Sequence, residues 1–537
     1  MPASLTRRSL LAGAGTILTL DAPSRAAASE RILRVAMTAA DIPLTTGGPD
    51  NGFEGYRFTG YTLYDPLIAW DLSRSDRPAE LKPGLAESWS VDEGDRTLWT
   101  LRLRHGVTFH DGSAFDAAAV AWNLAKLLDD KAPHYDPKQA AQVRGRLGSV
   151  ASWKVLDPQT IQLTTKTPDA FFPYQLTFLL VSSPAQFEAV GRDWQKFALS
   201  PSGTGPFRLT RLVPRERAEF VANPAYWDPA RRPTYDRLVL QPMPEATTRV
   251  AALLSGQVDW IEAPAPDQID ALKAAGHRVL TNIYPHYWAY MPSYLPGSPF
   301  TDVRVRKAVN LAIDREGLRA LLNGLMIPAE GSVPADHPWF GHPTFKIRHD
   351  PEEARRLLTA AGYGPARPLR FKVAISTSGS GQMQPLAMNE FIQQNLAAVG
   401  VTVEFDVMEW GTLLNRWRAG AQAPANQGIA ALNSSTGTFD PFNAFIRFFS
   451  SRYAAPNGFN WGQFANPDYD TLIAKAQLAF DKTEQDRLLA ELHTLAVDDA
   501  LLIWVCHDVN PRVVSSKIKN IVQPQSWYID LAIVAIS

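Results

Sequence analysis

Cysteine is almost absent from this sequence, since Cys506 is the only one among 537 residues. A single thiol excludes an intramolecular disulfide and any metal site that needs several cysteines. Stability must therefore come from buried apolar surface, and hydrophobic residues make up 45% of the chain. A chain of this length exceeds what one hydrophobic core usually supports, which predicts two or three domains.

Long hydrophobic runs are also lacking, apart from one near the amino terminus. The run Ser9–Leu20 follows Arg7 and Arg8 and precedes Ala26-Ala27-Ala28, which has the form of a cleavage site. These features predict a signal peptide over residues 1–28 whose apolar run is too short to span a bilayer. No later stretch reaches the length that a membrane helix needs.

The signal peptide also indicates a route and a destination. Thr6-Arg7-Arg8-Ser9-Leu10-Leu11 matches the centre of the twin-arginine pattern and favours Tat export, although paired arginines also occur in Sec signals. No cysteine stands at the cleavage point, so we expect no lipid anchor. The expected location of the mature protein is the periplasm.

Net charge and catalytic motifs are missing as well. Without residues 1–28 the chain has 50 basic and 53 acidic side chains, a formal charge of −3, which argues against nucleic acid or an anionic membrane as a partner. The motifs of zinc proteases, serine hydrolases and P-loop proteins do not occur, and the short Ser516–Lys519 match to Ser-x-x-Lys is expected by chance. Histidines are scattered. We therefore predict no enzymatic activity, no cofactor and no metal site.

The most informative segment that is present runs from Leu81 to Val120. Its leucines at 98, 101 and 103 predict a half-buried strand, residues 110–112 predict a turn, and Asp116 predicts a helix cap. This order resembles the signature of the family 5 extracellular solute-binding proteins, the ligand-capturing components of peptide/nickel-type ABC importers. The matching positions are Pro83, Leu85, Ala86, Ser88, Trp89, Leu103, Arg104, Gly106, Val107, Phe109, His110, Asp111, Gly112 and Asp116. Segments 203–207, 223–227 and 460–470 resemble later landmarks of the same family.

The resemblance implies the fold class. We expect an α/β chain with the type II periplasmic-binding-protein fold (cluster C), in which two lobes carry an extra domain and the first domain is discontinuous. The expected boundaries are 29–72, 201–280 and 486–537 for the first domain, 73–200 for the second and 281–485 for the third.

The resemblance also implies a function. The chain is expected to capture a small solute, peptide-like or otherwise polar, by closing its lobes, and to deliver it to the transmembrane subunits of an ABC permease. It would act as a monomer that reaches the membrane only through that complex. Two alternatives stay open, a clamshell sensor for a membrane receptor and, less favoured, a secreted hydrolase on the same scaffold.

Residues 369–432 place part of the expected site. They alternate strand, helix, strand, helix and strand, which predicts a parallel sheet. Ligands of open α/β sheets bind beyond the carboxyl ends of the strands. The predicted ligand-binding residues at that edge are Trp410, Asn433, Ser434, Ser435, Thr436, Thr438 and Phe439, whose hydroxyls and aromatic faces suit a polar solute. The alternative is an ordered loop without ligand contact.

Two further groups face the cleft if the layout of the family holds. Phe53, Glu54 and Tyr56 would come from the first domain, and Trp288 and Tyr290 from the start of the third. Because side chains alternate along a strand, one face of residues 287–290 must be core, and we assign Trp288 and Tyr290 to the cleft. Glu54 could receive a cationic ligand, or it is simply an exposed loop residue.

A missing carboxylate narrows the ligand class. Peptide-binding members of the family hold a free amino group with an Asp in a segment like Trp-x-x-Asp-x-x-Asp-Pro. Counting back from Asp440, this chain has Ser434 at the Trp position and Gly437 at the acidic position. Burying an ammonium without its partner is costly, which favours a polar neutral or zwitterionic solute over ordinary peptides. Residues 176–183 lack the arginines expected of a nickel-chelate binder.

Overall fold

The computed structural model describes residues 30–48, 55–143, 146–283, 286–377 and 384–537. Its first domain is built on a seven-stranded sheet that joins three distant parts of the chain. In spatial order the strands are Arg278–Leu280, Arg512–Val514, Trp260–Glu262, Ile32–Met37, Arg237–Pro242, Arg217–Ala222 and Phe207–Val213. The central strand alternates, so that Leu33 and Val35 are fully buried. The first domain is therefore discontinuous, as expected.

The second domain carries a four-stranded antiparallel sheet, in the order Ala86–Val91, Leu98–Leu103, Thr160–Thr165 and Val150–Asp157. The predicted strand and helix cap of this region are confirmed, because the Asp116 carboxylate accepts a 2.8 Å hydrogen bond from the Ala119 amide. The first and second domains share one continuous hydrophobic core. The helices here are Ala117–Leu128, Pro137–Val143, Phe172–Gln175, Pro184–Ala189 and Trp194–Leu199.

The third domain is built on a six-stranded sheet with helices on both faces. Its strands, in spatial order, are Met326–Pro328, Ile503–Asp508, His286–Pro292, Ile429–Gly437, Leu369–Ser376 and Val401–Met408. The last three are mutually parallel, which confirms the predicted βαβ alternation. One face packs on Val303–Ala312, Arg315–Leu321, Pro351–Ala360 and Pro385–Ala398, and the other on Trp410–Ala419, Pro467–Leu478 and Lys482–Asp498.

Two expectations about this domain need correction. The strand Ile503–Asp508 pairs with His286–Pro292, and the helix Lys482–Asp498 packs into the same domain, so the return to the first domain falls near 509 rather than 486. The apolar pattern of residues 484–506 marks a helix and a strand but does not say which sheet they join. In addition, residues 433–437 continue the strand Ile429–Gly437 and are not a loop.

Smaller elements complete the chain. The helices Ala246–Leu254 and Ile269–Ala274 pack beside the first sheet, and Ile68–Trp70 pairs with Leu81–Pro83. A short pair, Ile518–Lys519 with Ala535–Ile536, lies near the carboxyl terminus. Within the described ranges, no helix has both the length and the apolar character needed to cross a bilayer.

A buried ionic cluster connects distant segments of the first domain. The Glu262 carboxylate lies 2.5 Å from Arg57 and 3.1 Å from Arg512, and none of the three side chains is exposed. The indole of Trp260 donates a further 2.8 Å hydrogen bond to Glu262. Burial alone would raise the pKa of Glu262, but the guanidinium groups of Arg512 and Arg57 hold it below its ordinary value.

Glu262→Gln should destabilise the protein by about 3–5 kcal/mol at neutral pH, because it leaves two buried guanidinium groups without their counter-charge. Since the pKa of Glu262 is lowered by folding, its contribution is present above its ordinary pKa and lost as the pH falls below it. Urea denaturation at several pH values measures both effects. The matched control Glu484→Gln, in an exposed pair with Arg487, should change little; equal stability of wild type and Glu262→Gln would contradict the assignment.

Candidate functional site

The two lobes are joined by two neighbouring crossings of the chain. One passes through Asn282 and the other through residues 509–511. The Asn282 amide donates a 3.0 Å hydrogen bond to the Val509 carbonyl, and its side chain donates to the Gln523 carbonyl at 2.7 Å. Rotation of the lobes must take place at these crossings, because they are the connections between the two large sheets.

Beside the crossings, an aromatic ring of the third domain enters the core of the first and second domains. Phe439 is 7% exposed and belongs to the core cluster that those domains share. Its ring centroid lies 5.6 Å from Trp70, 5.8 Å from Tyr528 and 6.4 Å from Phe178. Tyr56 and Tyr61 extend this set through edge contacts with Phe178 and Tyr528. We call these six residues the aromatic junction.

Gly437 makes the position of Phe439 possible. A Cβ atom at residue 437 would lie 2.6 Å from Cε1 of the Phe439 ring, closer than real Cβ contacts. The ring therefore folds back over the end of its own strand only because that position is glycine. The Phe439 ring thus occupies the space in which the acidic side chain of the peptide-binding pattern would begin.

Several polar atoms on the junction and on the neighbouring strands of the third domain are buried without a hydrogen-bond partner among the described residues. They are the hydroxyls of Tyr287, Thr438 and Tyr528 and the Nε2 atom of His507. Tyr287 and His507 are paired neighbours on adjacent strands, and Thr436 pairs with Tyr287 from the other side. A buried polar atom without a partner costs about 1–3 kcal/mol, so such atoms mark where a bound polar molecule would form hydrogen bonds.

The tautomer of His507 follows from its environment. Its Nδ1 atom lies 3.0 Å from the His286 carbonyl, so Nδ1 carries the proton and Nε2 is left as an acceptor. Burial lowers the pKa of His507 to about 4, which keeps the ring neutral at physiological pH. The site therefore offers a hydrogen-bond acceptor here and not a positive charge.

Asp440 begins the helical segment that follows the aromatic junction. Its carboxylate accepts a 2.8 Å hydrogen bond from the Asn443 amide, and Arg447 donates to the Asn443 side chain at 2.8 Å. Burial raises the pKa of Asp440. Because the carboxylate is occupied by Asn443, it replaces the missing acid at position 437 poorly as a partner for a ligand ammonium.

The structure brings only part of the predicted ligand-binding set together. Tyr56, Thr436, Thr438 and Phe439 lie at or beside the junction, and Ser434 shares the strand face of Thr436. Trp410 is half-buried against the core of the third domain, and no ring contact among the described residues joins it to the junction. Phe53 and Glu54 lie outside the described residues.

The assignment of Trp288 and Tyr290 to the cleft is wrong. Both are at most 2% exposed in the core beneath the helix Pro385–Ala398, where the Tyr290 hydroxyl donates to Asn389 at 2.6 Å. Strand alternation is obeyed, and the opposite face, that of Tyr287, packs in the other hydrophobic core of the third domain, which Phe171 of the second domain also joins. Nothing in residues 287–290 distinguishes the two faces, because both carry an aromatic side chain.

Asn433 and Ser435 need the same correction. Asn433 accepts from Asn389 at 3.1 Å and donates to the Ala289 carbonyl at 3.0 Å, so its amide is used within the third domain. Ser435 pairs with Trp288 and shares its face. Sequence reasoning missed Tyr61, Phe178, His507 and Tyr528, since their roles depend on contacts between distant segments; only the alternation at 287–290 pointed to Tyr287.

Comparison with known proteins identifies the class. The family model for "Bacterial extracellular solute-binding proteins, family 5 Middle" matches residues 80–456. This chain belongs to that family, which confirms the resemblance in its sequence. The protein is an extracellular solute-binding protein of the ABC-importer type, and its homologues are binding proteins rather than enzymes.

Individual relatives cover nearly the whole chain. "Di/tripeptide-binding protein 2" of Pseudomonas aeruginosa is 26% identical over 507 residues, 89% of this chain and 91% of that protein. The "Glutathione-binding protein GsiB" of Escherichia coli O1:K1 / APEC is 28% identical, over 80% of this chain and 84% of that protein. The crystal structure of a dipeptide binding protein from Pseudoalteromonas sp. SM9913 in complex with Met-Leu superposes with a TM-score of 0.80 at 22% identity, over 94% of this chain and 100% of the other.

The buried histidine of the site predicts a pH dependence of stability. Because the pKa of His507 falls to about 4 on folding, its neutral state stabilises the fold fully above the ordinary pKa near 6.5, and this contribution is lost as the pH falls toward 4. His507→Asn keeps a donor for the His286 carbonyl but does not titrate. It should reduce the loss of unfolding free energy between pH 6.5 and 4 by about 1.4 kcal/mol per pH unit.

Urea denaturation of wild type and variant over that pH range measures the difference. The control His349→Asn changes an exposed histidine and should leave the pH slope unaltered. An unchanged slope in His507→Asn would show that His507 titrates normally in the folded protein.

Proposed function

We propose that this protein is a periplasmic receptor that captures a small polar solute at the aromatic junction and delivers it to an ABC permease. The observation that carries the proposal is the group of buried polar atoms on Tyr287, Thr438, His507 and Tyr528, which have no protein partner among the described residues. Tyr528 belongs to the aromatic junction and Thr438 precedes Phe439 there, while Tyr287 and His507 lie on paired strands of the third domain. A solute that reached both groups would contact both lobes at once.

The proposed ligand-binding residues combine predicted and newly found positions. Tyr56, Ser434, Thr436, Thr438 and Phe439 remain from the sequence, and Tyr61, Phe178, Tyr287, His507 and Tyr528 are added. Trp410 stays in the set as an untested prediction, as do Phe53 and Glu54.

The ligand class follows from the charges at the seam. His507 is neutral, Gly437 supplies no carboxylate, and Asp440 is bound by Asn443. A free ammonium would therefore lack a strong counter-charge, which is costly in a buried site. We infer a polar neutral or zwitterionic solute with several hydrogen-bonding groups and an apolar face, in preference to an ordinary dipeptide.

The finer points of location and assembly belong to the same proposal. Export would use the Tat route because of the Arg7-Arg8 pair in the signal peptide. The mature protein would act as a monomer and would reach the membrane only through the permease. Closure would follow from the greater affinity of the solute for the closed lobes.

Native mass spectrometry of protein purified from its own host tests the proposal directly. A small solute should co-purify, and Tyr287→Phe, which removes one buried hydroxyl, should weaken its rebinding by about tenfold while leaving the fold intact. Conversion of the recovered solute by the purified protein would contradict a binding role and favour a hydrolase. Recovery of ordinary dipeptides would contradict the inference from Gly437.

Phe439→Ala should favour the open form of the ligand-free protein. The substitution removes a third-domain ring that packs in the core of the first and second domains. We expect a larger radius of gyration in small-angle X-ray scattering and weaker solute binding, by a few kcal/mol. Phe391→Ala, in the helix Pro385–Ala398 away from the junction, is the control. The same scattering curve for Phe439→Ala and wild type would refute this role for the ring.

A further inference from the structure

A cavity lies between the second and third domains. It has a volume of about 220 Å³, and its walls include Arg146, Lys166 and Phe178 from the second domain and Phe442, Arg452 and Tyr453 from the third. Phe178 also belongs to the aromatic junction, so the cavity adjoins the proposed solute site. The Phe442 and Tyr453 rings meet edge to face at 5.1 Å and form part of one wall.

Two of the cations in this cavity have no acidic partner. Lys166 donates a 2.8 Å hydrogen bond to the Gly148 carbonyl, but it forms no ion pair with any residue that the structure describes. The Arg452 guanidinium likewise makes no ion pair or hydrogen bond within the described ranges.

The two carboxyl groups in the cavity do not neutralise these cations. Asp169 accepts hydrogen bonds from the Phe171 amide at 3.0 Å and from the Gln175 side chain at 2.7 Å, and Asp440 is occupied by Asn443. Burial raises the pKa of both carboxyl groups. The guanidinium of Arg146, stacked 4.2 Å from the Phe178 ring, adds a third positive charge.

We propose that this cavity binds an anionic group, a carboxylate or a phosphate, through Lys166 and Arg452. Ammonium and guanidinium groups are the usual partners of both anions. Because Lys166 belongs to the second domain and Arg452 to the third, an anion held by both would favour the closed arrangement of the lobes. The inference goes beyond the proposed function, since an anion can bind here whether or not the protein serves a permease.

Thermal unfolding of the full mature protein tests the inference with three probes: glutarate, its neutral diamide glutaramide, and inorganic phosphate. Glutarate or phosphate should raise the melting temperature in a saturable manner, and glutaramide should not. Stabilisation by glutarate alone identifies a carboxylate site, and stabilisation by phosphate alone a phosphate site. Equal effects of both indicate a general oxyanion site.

The variants assign the effect to the cavity. Lys166→Met and Arg452→Gln should each weaken the apparent affinity about tenfold, and the double variant should weaken it further, because each removes a charged donor to the anion. Both residues are exposed, so the variants should fold. Lys273→Met and Arg370→Gln change exposed cations elsewhere and serve as matched controls.

Two outcomes would overturn the inference: neither anion stabilises the wild type, or the anions stabilise the cavity variants as strongly as the controls. Failure of this experiment is separate from failure of the proposed function. If a solute co-purifies and Tyr287→Phe weakens its rebinding while no anion binds, the anion site is refuted and the receptor function stands. If anions bind but no solute is recovered, the anion site stands and the proposed capture of a solute is contradicted.

Discussion

The buried carboxylate of Glu262 is the constraint on which the first-domain side of the site depends. A charge without water must be paired, and Glu262 is held between Arg57 and Arg512. Arg57 lies in the helical segment that presents Tyr56 and Tyr61, while Arg512 follows the second crossing between the lobes. Arg57 also stacks on Trp527, the neighbour of Tyr528, at 5.0 Å. One carboxylate thus fixes segments from the start, middle and end of the chain, and with them one wall of the seam.

The opposite wall depends on the end of one strand of the third domain. The strand Ile429–Gly437 continues through the hydroxyl-rich residues, so its alternation puts Thr436 on the face of Tyr287 and Asn433 on the face of Tyr290. Gly437 then lets Phe439 fold back into the hydrophobic core of the other lobe. The same small residue that removes a counter-charge for an ammonium therefore permits an apolar contact between the lobes. In the proposed function, ligand selectivity and closure would therefore be linked at this one position.

The charges around the seam divide into two regions with different chemistry. Tyr287 offers a hydroxyl and His507 a ring nitrogen, and burial keeps the histidine neutral. Toward the second domain, Lys166 and Arg452 make the adjoining cavity positive. A solute in the first region and an anion in the second would each contact two domains, so each would favour closure of the lobes independently of the other.

Much of the fold could be predicted from sequence because local patterns are sufficient for it. Asp116 caps a helix as predicted, and the strands Leu369–Ser376 and Val401–Met408 alternate with helices as predicted for residues 369–432. The site residues were harder to predict from sequence. Both faces of residues 287–290 carry an aromatic side chain, and His507 and Tyr528 belong to no recognisable motif. The sequence by itself determined the family, the βαβ order and the glycine at 437. Only the tertiary structure decided which helices cover each strand face and which sheet receives Ile503–Asp508, because pairing between distant segments is not encoded in local periodicity.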